Sequence, residues 1–107
     1  MKNKSYSARC LFEWSPRPEM TKKHLYEERI TIWRSEDIDQ AIEAAEQEAE
    51  SYAKKIHAKY LGLAQGFDLF DEINTSGVEV YSLLRESDLE PEEYLDTFFD
   101  TGDERQR

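Results

Sequence analysis

Between Ser35 and Tyr60 the apolar residues fall at Ile38, Ala41, Ile42, Ala45, Ala49, Tyr52, Ala53, Ile56 and Tyr60. At about 100° per residue these positions stay on one stripe and predict a single long amphipathic helix with one buried face. Ser35 suits the N-cap, because its hydroxyl can accept from a free backbone N–H of the first turn. Asp37 followed by Gln40 offers a second start. Glu36, Asp37 and Asp39 sit at the positive end of the helix dipole, and Lys54, Lys55 and Lys59 at the negative end. Gly62 is the expected stop. The stripe is alanine in its middle, so the helix can lie close to whatever it covers, and an aromatic sheet face is the natural complement.

The flanking segments alternate instead. Ser5 to Trp14 places Tyr6, Ala8, Cys10, Phe12 and Trp14 on one face and Ser7, Arg9, Leu11 and Glu13 on the other, the pattern of a half-buried strand. Pro16 and Pro18 make residues 15–22 a loop. His24 to Trp33 reads as a second strand, antiparallel to the first, with Tyr26, Ile30 and Ile32 inward and Glu28 breaking the pattern. Leu61 to Ile73 reads as a third strand, with Gly62 and Gly66 marking a bulge or a close backbone approach. Asn74-Thr-Ser-Gly77 is a turn signal, and Val78 to Arg85 alternates again, which predicts a second hairpin. Both faces of that last strand are partly apolar, as in a central or covered strand. Pro91 opens a short helix with Tyr94, Leu95, Phe98 and Phe99 on its apolar side and Gly102 at its end.

The order predicts an α+β domain: a mainly antiparallel four-stranded sheet (β-β-α-β-β) covered by one long helix, plus a short C-terminal helix. At 107 residues the chain is one domain by size, with residues 101–107 as a tail. Thirteen aromatic residues (two Trp, six Tyr, five Phe) argue for a packed core despite the polar composition. The lone Cys10 cannot form an internal disulfide, which fits a reducing compartment. No apolar run is long enough to span a membrane and no signal peptide is evident, so a cytoplasmic location is expected.

Charge adds the sharpest feature. The net charge is −10, which excludes a phosphate-wrapping, nucleic-acid-binding surface. It is also uneven: from residue 35 to residue 50 every charged residue is acidic. Asp39, Glu43, Glu46 and Glu50 form one stripe at steps of four, three and four, where like charges repel by a few tenths of a kcal/mol, about 0.2–0.5 per pair. One reading is a solvated face that keeps the protein soluble; a second is a docking face for a basic partner protein; loose Ca²⁺ or Mg²⁺ binding is a minor third, since no twelve-residue cation loop is present.

Other chemistry is sparse. His24 and His57 share no ligand spacing with each other or with Cys10, so no metal site is assigned. Cys10 reads as a small buried hydrophobe. No phosphate-binding loop, catalytic residue or cofactor is assigned. Glu28, beside Tyr26, is the most unusual strand carboxylate: on an inward face it needs a partner, or it becomes an acid of raised pKa in a pocket between helix and sheet.

Tyr6-Ser-Ala-Arg-Cys-Leu-Phe-Glu13, Tyr26-Glu-Glu-Arg-Ile30, Gly77-Val-Glu-Val-Tyr-Ser-Leu-Leu-Arg85 and Tyr94-Leu-Asp-Thr-Phe-Phe-Asp-Thr-Gly102, in this order, resemble a bacterial family known only as domain-of-unknown-function family 4288. The resemblance implies a stand-alone bacterial domain and brings no activity with it. The functional expectation is a small acidic interaction module that binds a basic protein through Asp39, Glu43, Glu46 and Glu50, for example an immunity-like or antitoxin-like domain that blocks a basic nuclease. The alternative is a small-ligand-binding domain or minor enzyme that uses Glu28 and Tyr26. A homodimer joined through an uncovered sheet face is a third reading.

Overall fold

The structure, a computed structural model, describes residues 3–70, 76–99 and 105–106. Four long strands form an antiparallel sheet: β1 (Lys4–Trp14), β2 (His24–Ser35), β3 (Lys59–Asp68) and β4 (Val78–Ser87). A two-residue strand, β5 (Arg105–Gln106), pairs with Gln65 and Gly66 of β3, within the stretch expected as a tail. The long helix α1 (Ile38–Ile56) covers one face. The C-terminal segment opens with α2 (Pro91–Tyr94), with Pro91 in the first turn, and continues as a π-helical turn over Leu95–Phe99. This is the expected α+β architecture. The expected turn residues Asn74 and Thr75 and the expected stop Gly102 lie outside the described residues.

The strand order is β4-β2-β1-β3-β5. β1 and β2 form the expected hairpin, in register from Lys4 opposite Ser35 to Trp14 opposite Leu25. The second expected hairpin does not exist. β3 pairs with β1 and β4 pairs with β2, so the two flank the central hairpin on opposite sides. A turn signal reports that the chain reverses; it does not choose which neighbour the next strand finds.

Helix α1 is shorter than its apolar stripe. Asp37 is the N-cap, its Oδ1 accepting from the Gln40 N–H at 2.8 Å. Ser35, the first candidate, belongs to β2 and donates its hydroxyl to the Asp37 carbonyl at 2.6 Å. At the other end His57 takes a left-handed conformation, φ 57° and ψ 40°, and the Ala58 N–H reaches the Ala53 carbonyl at 2.9 Å. That pattern closes the helix five residues before Gly62. Tyr60 remains apolar and inward, but as part of β3, opposite Phe12.

The two glycines of β3 both do what their spacing suggested. Between Cys10 and Phe12 the β1–β3 register shifts, so that Leu61, Gly62 and Leu63 oppose Leu11 alone. Gly62, at φ +79°, provides the left-handed turn of this bulge. Gly66 lies under the helix, where an added Cβ would stand 2.9 Å from Cγ1 of Ile42.

Two cores result. Between α1 and the sheet, Cys10, Phe12 and Ala64 pack against Ile42, Ala49 and Ala53, flanked by Tyr52 and Tyr60. On the second face, Leu11, Tyr26 and Tyr94 are buried together, with Leu61, Leu63, Leu89 and Leu95 around them. The second face of the sheet is thus covered by the C-terminal segment.

Candidate functional site

Three of the four stripe carboxylates, Asp39, Glu43 and Glu50, are exposed along one flank of α1, beside the stripe of buried Ala41, Ala45, Ala49 and Ala53. Glu46 is half-buried on the flank, and its Oε2 accepts from the Tyr60 hydroxyl at 3.1 Å. Glu48, on the same helix, turns toward the sheet. The exposed ridge ends in Lys54 and Lys55, in the last turn.

The carboxylate between helix and sheet is Glu27, not Glu28. Hairpin pairing sets Glu27 opposite Phe12 and Arg29 opposite Cys10, on the helix side. Glu27, only 3% exposed, accepts from Trp14 Nε1 at 3.0 Å, from the Tyr52 hydroxyl at 2.8 Å and from the Ser82 hydroxyl. Arg29 is also buried. Its Nη1 and Nη2 donate to the two carboxylate oxygens of Glu48 at 2.5 and 3.0 Å, and its Nε donates to Glu79 at 2.5 Å. The guanidinium carbon stands 3.8 Å from the centre of the Tyr52 ring. Burial disfavours the charged Arg29, but the hydrogen bonds it donates to Glu48 and Glu79 outweigh it and hold the guanidinium further above its ordinary pKa. Burial, then Glu27, push the Tyr52 hydroxyl up. These contacts join β1, β2, β4 and α1: the buried Glu27 is met by three neutral donors and the buried Arg29 by two carboxylates, so neither ionic group is left without partners.

Glu28 and Tyr26, expected to line a pocket under the helix, face the opposite side. Glu28 Oε1 meets Arg9 Nε at 2.8 Å. Arg9 also donates to Gln65 at 3.1 Å and to the Phe98 carbonyl at 2.6 Å. Tyr26 is fully buried against Tyr94, ring centres 4.2 Å apart, and its hydroxyl donates to the Leu89 carbonyl at 2.8 Å. Apolar parity along β2 alone identified the face covered by the C-terminal segment. The better signal was Trp14 and Tyr52, two aromatics with polar tips on the helix side, which need an acceptor when buried.

His24 gains partners that its spacing could not reveal. Its Nδ1 lies 2.5 Å from Glu13 Oε2 and its Nε2 3.0 Å from Glu90 Oε2. With a carboxylate on each nitrogen, only the imidazolium can donate to both. The hydrogen bond to Glu90, then that to Glu13, raise the His24 pKa above its ordinary value, against the opposing effect of burial. The ring stacks on Tyr26 at 5.6 Å.

Cys10 is buried, and desolvation pushes its thiol up to about 12, which keeps it protonated at neutral pH. His57 is the exposed C-cap of α1. Among the described residues no His, Cys, Asp and Glu group is arranged to hold a metal ion, and no helix is long and apolar enough to cross a membrane. Comparison with models of protein families, with curated proteins and with solved structures returned no match, so the reading of this surface rests on its own geometry.

Proposed function

We propose that this domain is a non-enzymatic interaction module that docks a basic partner protein on the acidic ridge of α1. The observation that carries the reading is the ridge itself: Asp39, Glu43 and Glu50 exposed along one side of α1, in a stretch, residues 35–50, that bears no positive charge. The mounting supports it. The alanine stripe holds α1 against the sheet, and Glu46 and Glu48 tie its flanks to Tyr60 and Arg29. A pre-formed charged face loses little freedom on binding and raises the encounter rate of an oppositely charged partner. Blocking of a basic nuclease in the cytoplasm, as an immunity or antitoxin protein does, is the concrete form of this role. There the ridge stands in for the phosphate backbone. The resemblance to domain-of-unknown-function family 4288 is compatible with the role and adds no activity to it.

The test is a tagged pull-down from lysate of the source organism at low salt, beside a variant with Asp39→Asn, Glu43→Gln and Glu50→Gln. Glu46 is left intact because its hydrogen bond to Tyr60 is structural. The expected outcome is a basic protein captured by the wild type, released by moderate salt and lost in the folded variant. Equal capture by both proteins would refute the reading.

A further inference from the structure

We infer that the chain forms a two-fold dimer in which β4 pairs antiparallel with β4 of a second copy, joining two sheets into one. β4 is an interior-type strand in an edge position. Its inner side is paired with β2, and among the described residues no strand pairs with its outer side. Its ten residues, Val78–Ser87, contain neither Lys nor Pro, the usual guards of an exposed edge. Val80, Tyr81 and Leu84 are 55%, 46% and 40% exposed. Tyr81 and Leu84 lie on opposite faces, opposite Ile30 and Glu27 respectively. Strands apolar on both faces are normally flanked by neighbours on both sides. Two kinds of guard are present: the charged Glu79, Arg85 and Glu86, which are engaged within the chain by Arg29, Tyr94 and Thr21, and a register shift between Ile30 and Thr31 that displaces Val80 and leaves Tyr81 to Ser87 regular.

A second copy is the occupant that fits. An antiparallel two-fold contact makes the strand its own partner, so it must be self-complementary. A two-fold through Ser82, Leu83 or Leu84 places no carboxylate opposite another. Glu79 then falls opposite Arg85, Ser87 or Leu89, and Glu86 opposite Val78, Val80 or Ser82. The apolar Tyr81, Leu83 and Leu84 collect at the centre. Among the described residues α1 packs chiefly on β3 and β1, away from the β4 edge, and Thr21 and Lys22 meet β4 only at its end, through Glu86. The same placement separates the two acidic ridges, which limits the repulsion between chains of net charge −10 and leaves both ridges accessible. Main-chain pairing of this kind is the usual way an exposed sheet edge is used in recognition.

Light scattering after size exclusion tests the inference on the full chain. The wild type is expected at the mass of two chains, and a Tyr81→Lys, Leu84→Lys variant at the mass of one, with an unchanged circular dichroism spectrum. Both substituted side chains are partly exposed, at 46% and 40%, and the circular dichroism spectrum reports whether the fold is kept. A wild type that stays monomeric at high micromolar concentration overturns the inference, and so does a dimer that survives both substitutions. Hydrogen exchange on the wild type gives a check free of any variant. Amides of β4 are expected to be protected in the dimer and to lose protection on dilution, while those of β1 stay protected; concentration-independent exchange in β4 overturns the proposal. None of these outcomes depends on the acidic ridge, so this inference and the proposed function fail separately.

Discussion

Glu27 and Glu28 are adjacent in sequence and sit on opposite sides of the sheet, each with its own partners. Glu27 accepts from Trp14, Tyr52 and Ser82, and Glu28 binds Arg9. The difference predicts what their removal does. Glu27→Ala leaves donors of three elements facing a cavity, and each buried donor left unpaired costs about 1–3 kcal/mol. Glu27→Gln keeps an accepting oxygen and should recover part of that loss. Urea denaturation measures both. A Glu27→Ala loss under about 0.5 kcal/mol, the range of ordinary surface changes, would contradict the network. That one carboxylate of the pair needs a buried partner was legible from the sequence. Which one was not, because alternation gives two faces and does not say which of them the helix covers. Tyr26 is buried on the side away from the helix because a second cover, the C-terminal segment, lies over it.

At the scale of elements, α1 was the most legible part of the chain, since its stripe is a local pattern. Its buried alanines and its Asp37 cap follow from residues a few positions apart. Its C-terminal end does not. His57 stops the helix in a conformation that favours glycine, because Lys59 and Tyr60 are needed opposite Glu13 and Phe12 in the sheet. His57→Gly should therefore stabilise the protein by about 0.5–1 kcal/mol by removing the left-handed penalty. A drop in the urea midpoint would show that the His57 side chain does more than cap. Gly66 gives the opposite case. Its Cβ would stand 2.9 Å from Ile42 Cγ1 and 3.1 Å from Ile38 Cγ1, so Gly66→Ala must displace these isoleucine side chains, which fill the space between α1 and the sheet. The overpacking cost of about 1–3 kcal/mol exceeds the gain of roughly 0.5–1 kcal/mol from removing a strand glycine. A variant more stable than wild type would mean that these side chains give way freely there. The placement of β3 and β4 on opposite edges is the element-scale feature that local signals could not supply, since each strand's partner is decided by pairing with the central hairpin.

The whole molecule is a sheet between two covers, α1 on one side and the C-terminal segment on the other. The first cover is held by packing and by the Glu27–Arg29 network. The second is held by Tyr94 stacked on Tyr26 and by an ionic clamp in which His24 of β2 bridges Glu13 of β1 and Glu90 at the start of α2. No local pattern links three residues that far apart in sequence, so the clamp was illegible until the fold brought them together. It makes the attachment of the second cover depend on pH, and the sign follows from the shifts. His24 titrates above its ordinary pKa, near 6.5, because of Glu90 first and Glu13 second. Its contribution to stability is then full below that ordinary value and is lost as pH rises through the folded one. Glu90 is held below its ordinary pKa by the His24 hydrogen bond, so its share is present above the usual carboxylate value and fades as pH falls through its folded one. The clamp is thus strongest in the mildly acidic window between the two. Melting temperatures of wild type and His24→Gln, compared from about pH 5.5 to about pH 9, should differ most at the acid end and converge at the alkaline end. Hydrogen exchange over residues 91–99 should rise with pH in the wild type beyond the intrinsic chemical rate, and not in the variant. A wild-type advantage that grew with pH would mean that His24 is held neutral, with only one of its two carboxylates bound.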